Sequence, residues 1–270
     1  MDLNLKWKVS VVTGGGGAIC GEIATALARE GSIVAIWDLS SELALKKARE
    51  IEALGGKCIP LECDVLDRQN VKSALEKTLS AFQTVDILIN GAGGSRREAT
   101  TSSRLAFFDI DPDVLCRVMH LNYLSAVIPS QEVGRIFAEK KAGVILNISS
   151  VAGIRPLTRA IAYSNGKAAT NSFTRWLAVY MAQNFSPSIR VNAIAPGFVL
   201  TEQNRFLLLD QETGKFTRRG EKILRSTPMK RLGEPSEIVG AALWLVSNMA
   251  SFITGAVVPV DGGFTAYSGV

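Results

Sequence analysis

The sequence predicts an α/β protein, a doubly wound parallel sheet of about seven strands with helices on both faces. Three observations carry this. Short β-branched runs alternate with helical stretches along most of the chain. Those runs are almost continuously apolar, as strands covered on both faces must be. No linker, repeat or low-complexity segment divides the 270 residues, so residues 1–270 read as a single domain.

In order, "KVSVVT" (8–13) is the first strand, and the run Gly14-Gly15-Gly16-Gly17 leads into a helix from Ala18 to Arg29. "SIVAIWD" (32–38) is the second strand. The helix after it sets Ala44, Ala48 and Ile51 on one face and stops at Gly55-Gly56. "KCIPLECDV" (57–65), "VDILINGAG" (85–93), "GVILNISS" (143–150), "IRVNAIAPG" (189–197) and a short "AVVPVDGG" (256–263) complete the sheet. Right-handed crossovers put ligands at the carboxyl ends of these strands. Residues 198–234 break the rhythm; their length, charges and Gly214 read as an excursion over the sheet edge, a natural substrate lid.

Composition excludes several classes. At 47% hydrophobic and 20% charged, the chain belongs with soluble globular enzymes. The net charge of +5 comes from scattered basic residues, which gives no nucleic-acid stripe and suits an anionic small molecule. Four cysteines without a C-x-x-C pair, and His120 as the only histidine, leave no ordinary metal site and no Ser-His-Asp triad. Reduced thiols, no secretory signal and no membrane-length apolar run read as a cytoplasmic protein with no membrane partner.

The chemistry concentrates in "NISSVAGIRPLTRAIAYSNGK" (147–167). Ser150 ends the fifth strand, Tyr163 follows thirteen residues later, and Lys167 lies at i+4 on the same helix face. An ammonium beside a phenol lowers its pKa from about 10 toward the working range. Such a tyrosine can exchange a proton with an alcohol or carbonyl oxygen that Ser150 holds. Taken alone, Y-x-x-x-K also fits two surface residues on an ordinary helix. Asp38 ends the second strand, 24 residues after Gly14, where a carboxylate can accept from both adenosine ribose hydroxyls and repel a 2′-phosphate. No Arg or Lys occupies the glycine loop, which favours NAD over NADP; a helix cap is the alternative role for Asp38.

The glycine-rich first turn, "NGAG" after the fourth strand, "N-x-S-S", Y-x-x-x-K and "APGFVLT" after the sixth together resemble the short-chain dehydrogenase/reductase family, from about Lys8 to Phe264. The resemblance implies a Rossmann-type fold and a catalytic set of Ser150, Tyr163, Lys167 and Asn122. The asparagine would kink its helix and anchor a water in a proton relay. It also implies NAD(H) binding by Gly14, Gly17, Ala18, Ile19, Asp38, Asp64, Val65, Asn90, Gly91, Ala92, Tyr163, Lys167, Pro196, Gly197, Val199 and Thr201. Against the family's T-G-x-x-x-G-x-G, Ala18 and Cys20 replace two glycines. At a helix N-terminus, Cys20 is expected to carry a lowered pKa and to be open to alkylation.

Within the family, "VTGGGG", "NGAGG", "NAIAPGFVLTEQNRFLLLDQETGKFT" and "VVPVDGGFTAYSGV" look like the D-mannonate oxidoreductases (fructuronate reductases) of the short-chain type. That likeness implies a sugar-acid substrate, contacted by Ser150 and Tyr163 with Asn204 and Arg205 from the lid, and a homotetramer. Arg96, Arg97, Arg155, Arg159 and Arg205 fall near the expected cleft mouth, where a guanidinium fork could hold a carboxylate. Tagaturonate, gluconate and neutral sugars are alternative substrates, and a non-catalytic NAD-binding sensor is an alternative role.

Overall fold

Every ladder of the sheet is parallel in the computed structural model, which describes residues 3–269 apart from the side chains of Gln203 and Phe206. The strands are β1 (Val9–Thr13), β2 (Ile33–Asp38), β3 (Lys57–Glu62), β4 (Ile87–Asn90), β5 (Gly143–Ile148), β6 (Ile189–Pro196) and β7 (Val257–Val260), and they lie in the order β3-β2-β1-β4-β5-β6-β7. The order reverses between β1 and β4, so a crevice opens at their carboxyl ends. Pro60 and Pro259 sit in β3 and β7, the two edge strands, where a missing N–H breaks no ladder.

Eight α-helices cover the sheet among the described residues: α1 (Ala18–Arg29), α2 (Ser41–Ala53), α3 (Arg68–Phe82), α4 (Pro112–Lys140), α5 (Ile161–Asn184), α6 (Glu202–Leu208), α7 (Arg218–Ser226) and α8 (Ser236–Val246). Strand residues alternate between two cores. Val12, Ile89 and Leu146 pack with α1, α2 and α8, while Val11, Leu88 and Ile145 pack with α3, α4 and α5. All five residues of β1 are buried, which explains strands that read as unbroken apolar runs. Capping fixes the starts of several helices: Ser40 accepts from Leu43 N, Asp67 from Gln69 N, and Asp111 from Asp113 N ahead of Pro112.

The strands are shorter than the sequence expectation, and at two ends the cause is visible. β3 ends at Glu62, not Val65, because Asp64 turns the chain by accepting from Leu66 N. β4 starts at Ile87, since the Asp86 carboxylate accepts from Val9 N. The 198–234 excursion carries structure of its own. α6 and α7 are joined through an antiparallel bridge between Leu209 and Phe216, and the segment is tied at its base by a parallel bridge between Val199 and Gly233.

Arg190 on β6 is buried, and burial lowers its pKa, yet it faces no carboxylate among the described residues. Its guanidinium instead donates to Leu245 O at 2.8 Å and Ser247 O at 2.9 Å, closing the carboxyl end of α8. Arg190→Ala is therefore predicted to strand these carbonyls and destabilise the fold by about 2–3 kcal/mol, seen as a lower thermal midpoint. Arg190→Lys should recover part of it.

Candidate active site

The glycine loop joins β1 to α1 at the crevice. Gly14 has φ +62, a left-handed conformation that side chains resist, and its N–H donates to Trp37 O at 2.7 Å. The loop then turns on Gly17 N to Gly14 O, and Gly17 starts α1 without any side-chain cap. The N–H groups of Ala18, Ile19 and Cys20 precede the first intrahelical acceptor, so this helix end is a donor cradle. Asp38 closes one side: Oδ2 accepts from Gly16 N at 2.9 Å and Oδ1 from Ser40 N at 2.9 Å. A cleft of about 520 Å³ opens here between Gly16, Gly17 and Ala18 on one wall and Thr201 and Arg205 on the other.

Cys20 corrects one expectation. It is buried, and burial pushes its thiol up to about 12, the reverse of a reactive helix-terminal cysteine. Its sulfur occupies the space beside Gly91: a Cβ on Gly91 would come 1.9 Å from Sγ. The Cys20 side chain on α1 thus requires a glycine at position 91 in the loop after β4.

The catalytic candidates converge as their spacing implies. Ser150 follows β5, buried, with Oγ accepting from Ala152 N at 3.1 Å. Tyr163 stands half-buried against Ala99, Val118 and Ala162, and Lys167 is one turn further along α5. Lys167 Nζ donates to Ile148 O at 2.8 Å and lies 5.8 Å from the centre of the Tyr163 ring. Burial lowers the ammonium pKa to about 8. Desolvation also raises Tyr163 above the ordinary phenol range, with its hydrogen bond to Ser150 pulling the other way. The expectation of a tyrosine lowered by its lysine is therefore not met: desolvation outweighs the one opposing influence, the Ser150 hydrogen bond.

Asn122 sits where α4 crosses α5, held close by Gly166, whose added Cβ would be 2.8 Å from the asparagine's own. Its side chain clamps the loop after β4, donating to Gly94 O at 2.7 Å and accepting from Gly94 N at 3.1 Å. Its carbonyl accepts from Thr170 Oγ1 at 2.8 Å. Asn90 turns inward rather than lining the crevice. Its Nδ2 donates to Ser130 Oγ and to Asn147 Oδ1; Asn147 donates to Thr174 Oγ1, and Thr174 to Thr170 O. This buried relay of polar side chains locks β4 and β5 to α5 and α4, and the sequence reading had passed over Asn147, Thr170 and Thr174. The signal was there: Asn147 interrupts the apolar run of β5.

The remaining cofactor candidates flank the crevice. Asp64 and Val65 follow β3, with Val65 in the core. The N–H groups of Gly91 and Ala92 donate to Thr13 Oγ1 at 3.0 and 3.3 Å. Pro196 ends β6, Gly197 N donates to Val260 O, and Val199 is buried. In the excursion, Asn204 is engaged by backbone at both ends of its amide, accepting from Thr201 N at 2.9 Å and donating to Val199 O at 2.7 Å. Arg205 pairs with Glu202 at 3.3 Å. Arg155 donates to Tyr267 O at 2.8 Å. Among the described residues, no cluster of three or more His, Cys, Asp or Glu could hold a metal, and no helix is long and apolar enough to cross a membrane.

A buried lysine beside a tyrosine–serine pair, set at the switch point of a parallel sheet, defines an oxidoreductase that works on alcohols and carbonyls. The chain belongs to the short-chain dehydrogenase/reductase family: a family model described as enoyl-(acyl carrier protein) reductase matches residues 16–265. The chain is 44% identical to the uncharacterized oxidoreductase UxuB of Bacillus subtilis, over 99% of this chain and 98% of that protein. It is 32% identical to the 7alpha-hydroxysteroid dehydrogenase of Escherichia coli, over 97% and 96%. Among solved structures, a candidate D-mannonate oxidoreductase of Haemophilus influenzae, crystallised with bound NAD, superposes with a TM-score of 0.93 at 44% identity, covering 99% of this chain and 98% of that one.

Two outcomes follow. Gly91→Ala drives a methyl into Cys20 and is predicted to lower the thermal midpoint by the equivalent of about 1–3 kcal/mol; Cys20→Gly in the same chain should restore most of it. Lys167→Met removes a desolvated ammonium, so at pH 7 the variant should be the more stable protein, by at most about 3 kcal/mol. The folded pKa of about 8 lies below the usual 10.5. Wild type therefore gains on the variant as pH rises from 8 to 10.5, which melts taken across that window will read.

Proposed function

We propose that this protein is a cytoplasmic, NAD(H)-dependent enzyme that interconverts a sugar-acid alcohol and its ketone, D-mannonate and D-fructuronate. The observation that carries the reaction is the hydrogen-bonded Ser150–Tyr163 pair with buried Lys167 one turn below, at the crevice mouth. The substrate rests on full-length likeness, at 44% identity, to the candidate D-mannonate oxidoreductase.

The residues present fit a dinucleotide. The uncapped amino end of α1 suits a pyrophosphate, and the Asp38 carboxylate keeps lone pairs for two ribose hydroxyls while repelling a 2′-phosphate. Pro196, Gly197, Val199 and Thr201 would border the nicotinamide, which when bound supplies or accepts the hydride. Ser150 would hold the substrate oxygen, and Tyr163 would move a proton to or from it. A phenol raised by burial is protonated at neutral pH, which suits it to protonate the ketone during reduction. Lys167 stands beside that phenol ring, and Asn122 keeps the loop after β4 in place.

Residues 198–234 would act as the lid over the substrate, with Asn204 shaping its hinge and Arg205 standing on the cofactor side of the cleft. A homotetramer is the proposed assembly of these single-domain chains. On α5, Trp176 is 60% exposed and stacks at 5.0 Å on Tyr180, an apolar stripe suited to burial against another copy.

The assay follows NADH oxidation with D-fructuronate, tagaturonate and neutral keto-sugars. D-fructuronate should be reduced fastest, and Tyr163→Phe should lower kcat by about 10²- to 10⁴-fold with NADH affinity kept. Reduction should slow as pH rises through the phenol's titration, and oxidation should speed up. Turnover of neutral sugars alone would overturn the substrate; NADH binding without any turnover would point to a sensor.

A further inference from the structure

Most arginines near the crevice are already spoken for. Arg205 pairs with Glu202, Arg155 with Tyr267 O, and Arg231 with Glu237. Arg159 and Arg219 differ. Neither guanidinium has a hydrogen bond or ion pair among the described residues, although Arg219 is only half exposed. They come from two separate segments. Arg159 ends the loop between Ser150 and Tyr163, and Arg219 lies in the first turn of α7 within the 198–234 excursion. Helix stability gives no reason for Arg219, because a cation near the amino end of a helix opposes its dipole.

Arg159 is also held in place at some cost. Its φ is +76, a left-handed conformation unusual for a long side chain. Thr101 N donates to its carbonyl at 3.0 Å, and Ala160, the next residue, begins α5. Three segments therefore meet at this point: the loop after β4, the loop that carries Ser150 toward Tyr163, and α7. The two cations are close enough for Arg159 to add to the lowering of Arg219's pKa, behind desolvation. A half-buried guanidinium whose charged neighbour is another cation, and which makes no hydrogen bond of its own among the described residues, is complemented by an anion.

We propose that Arg159 and Arg219 form the carboxylate subsite of the substrate cleft, one guanidinium from the body of the protein and one from the excursion. This rests on the sugar-acid reading and sharpens it. The carboxylate seats between the arginines, and the sugar chain runs from there toward Ser150 and Tyr163. Binding an acid neutralises the repulsion between the two segments, so the anion itself draws α7 onto the loop before α5. A neutral sugar lacks that closing force. Selectivity for acids then comes from the pair, not from Arg205.

The test uses D-mannonate with NAD⁺ as substrate, and malonate, a carboxylate with no hydroxyl to oxidise, as a binding probe on the enzyme–NAD⁺ complex. The variants are Arg219→Gln and Arg159→Asn, since asparagine tolerates the left-handed backbone. Each should raise KM for D-mannonate about 10- to 100-fold with a smaller loss in kcat, keep NADH affinity and lose malonate binding by calorimetry. Arg219→Lys, which keeps the charge without the fork, should fall between and guards against a folding defect. Unchanged KM and unchanged malonate binding in the variants would overturn the subsite and leave the sugar-acid function standing. Wild-type enzyme inert toward every sugar acid would overturn that function instead. The malonate titration then decides the subsite alone: binding lost in the variants keeps it, and equal binding removes it.

Discussion

The site is organised around one cation that the protein interior disfavours. Lys167 is buried, its pKa driven down to about 8, and its ammonium is held by a single carbonyl, Ile148 O, at the end of β5. That bond sets the height of α5 against the sheet and hence the place of Tyr163, one turn away on the same helix. Holding a charge there requires its surroundings to be fixed beforehand, because an ammonium that could shift would find water and leave. The buried relay from Asn90 through Asn147, Thr174 and Thr170 to Asn122 provides that fixity. It joins two strands and two helices by hydrogen bonds that have no water competing for them, and each break would leave a buried group unpaired.

The same constraint reaches the cofactor loop. Cys20 lies near enough to Lys167 for each to feel the other, and its sulfur fills the space above Gly91. The first turn of α1 and the loop after β4 therefore meet without a gap, and Thr13 Oγ1 bonds the same loop from beneath. The cysteine that stands in place of a glycine of the family pattern is faced by a glycine: Cys20 fills the space that a side chain at position 91 would need. Gly14 keeps its glycine because a backbone φ of +62 resists any side chain.

What could be read from sequence follows the range of the interactions. The succession of strands and helices, both-face burial and the start of α1 were legible because unbroken apolar runs and period-3.6 patterns are local, and Y-x-x-x-K was legible because i and i+4 share a helix face whatever packs on it. Properties set by tertiary surroundings were not. The pKa of Tyr163 depends on how much water reaches it, and that of Cys20 on which way α1 faces; nearest-neighbour reasoning reversed both. Asn204 illustrates a second limit. An amide in the first turn of α6 offers the same donor and acceptor to a sugar or to the backbone, and here the backbone has both. The boundary of β3 was overrun because Asp64 reads as strand end or as turn equally well until Leu66 N is seen bonding to it.

Burial of Tyr163 and the arginine pair point the same way in the chemistry. A phenol kept protonated at neutral pH is ready to give a proton, which suits the proposed reduction of a ketone, with oxidation favoured as the solution turns alkaline. The proton must go to a carbonyl oxygen held at Ser150, and that oxygen is placed only when the far end of the substrate is fixed. An anion seated between Arg159 and Arg219 would supply that fixed point while drawing the excursion shut, which shields the phenol further and raises its pKa again. Recognition of the carboxylate and readiness to donate the proton would thus strengthen each other. A substrate without the carboxylate would lose both, in kcat as well as in KM, unless it closed the excursion by other contacts.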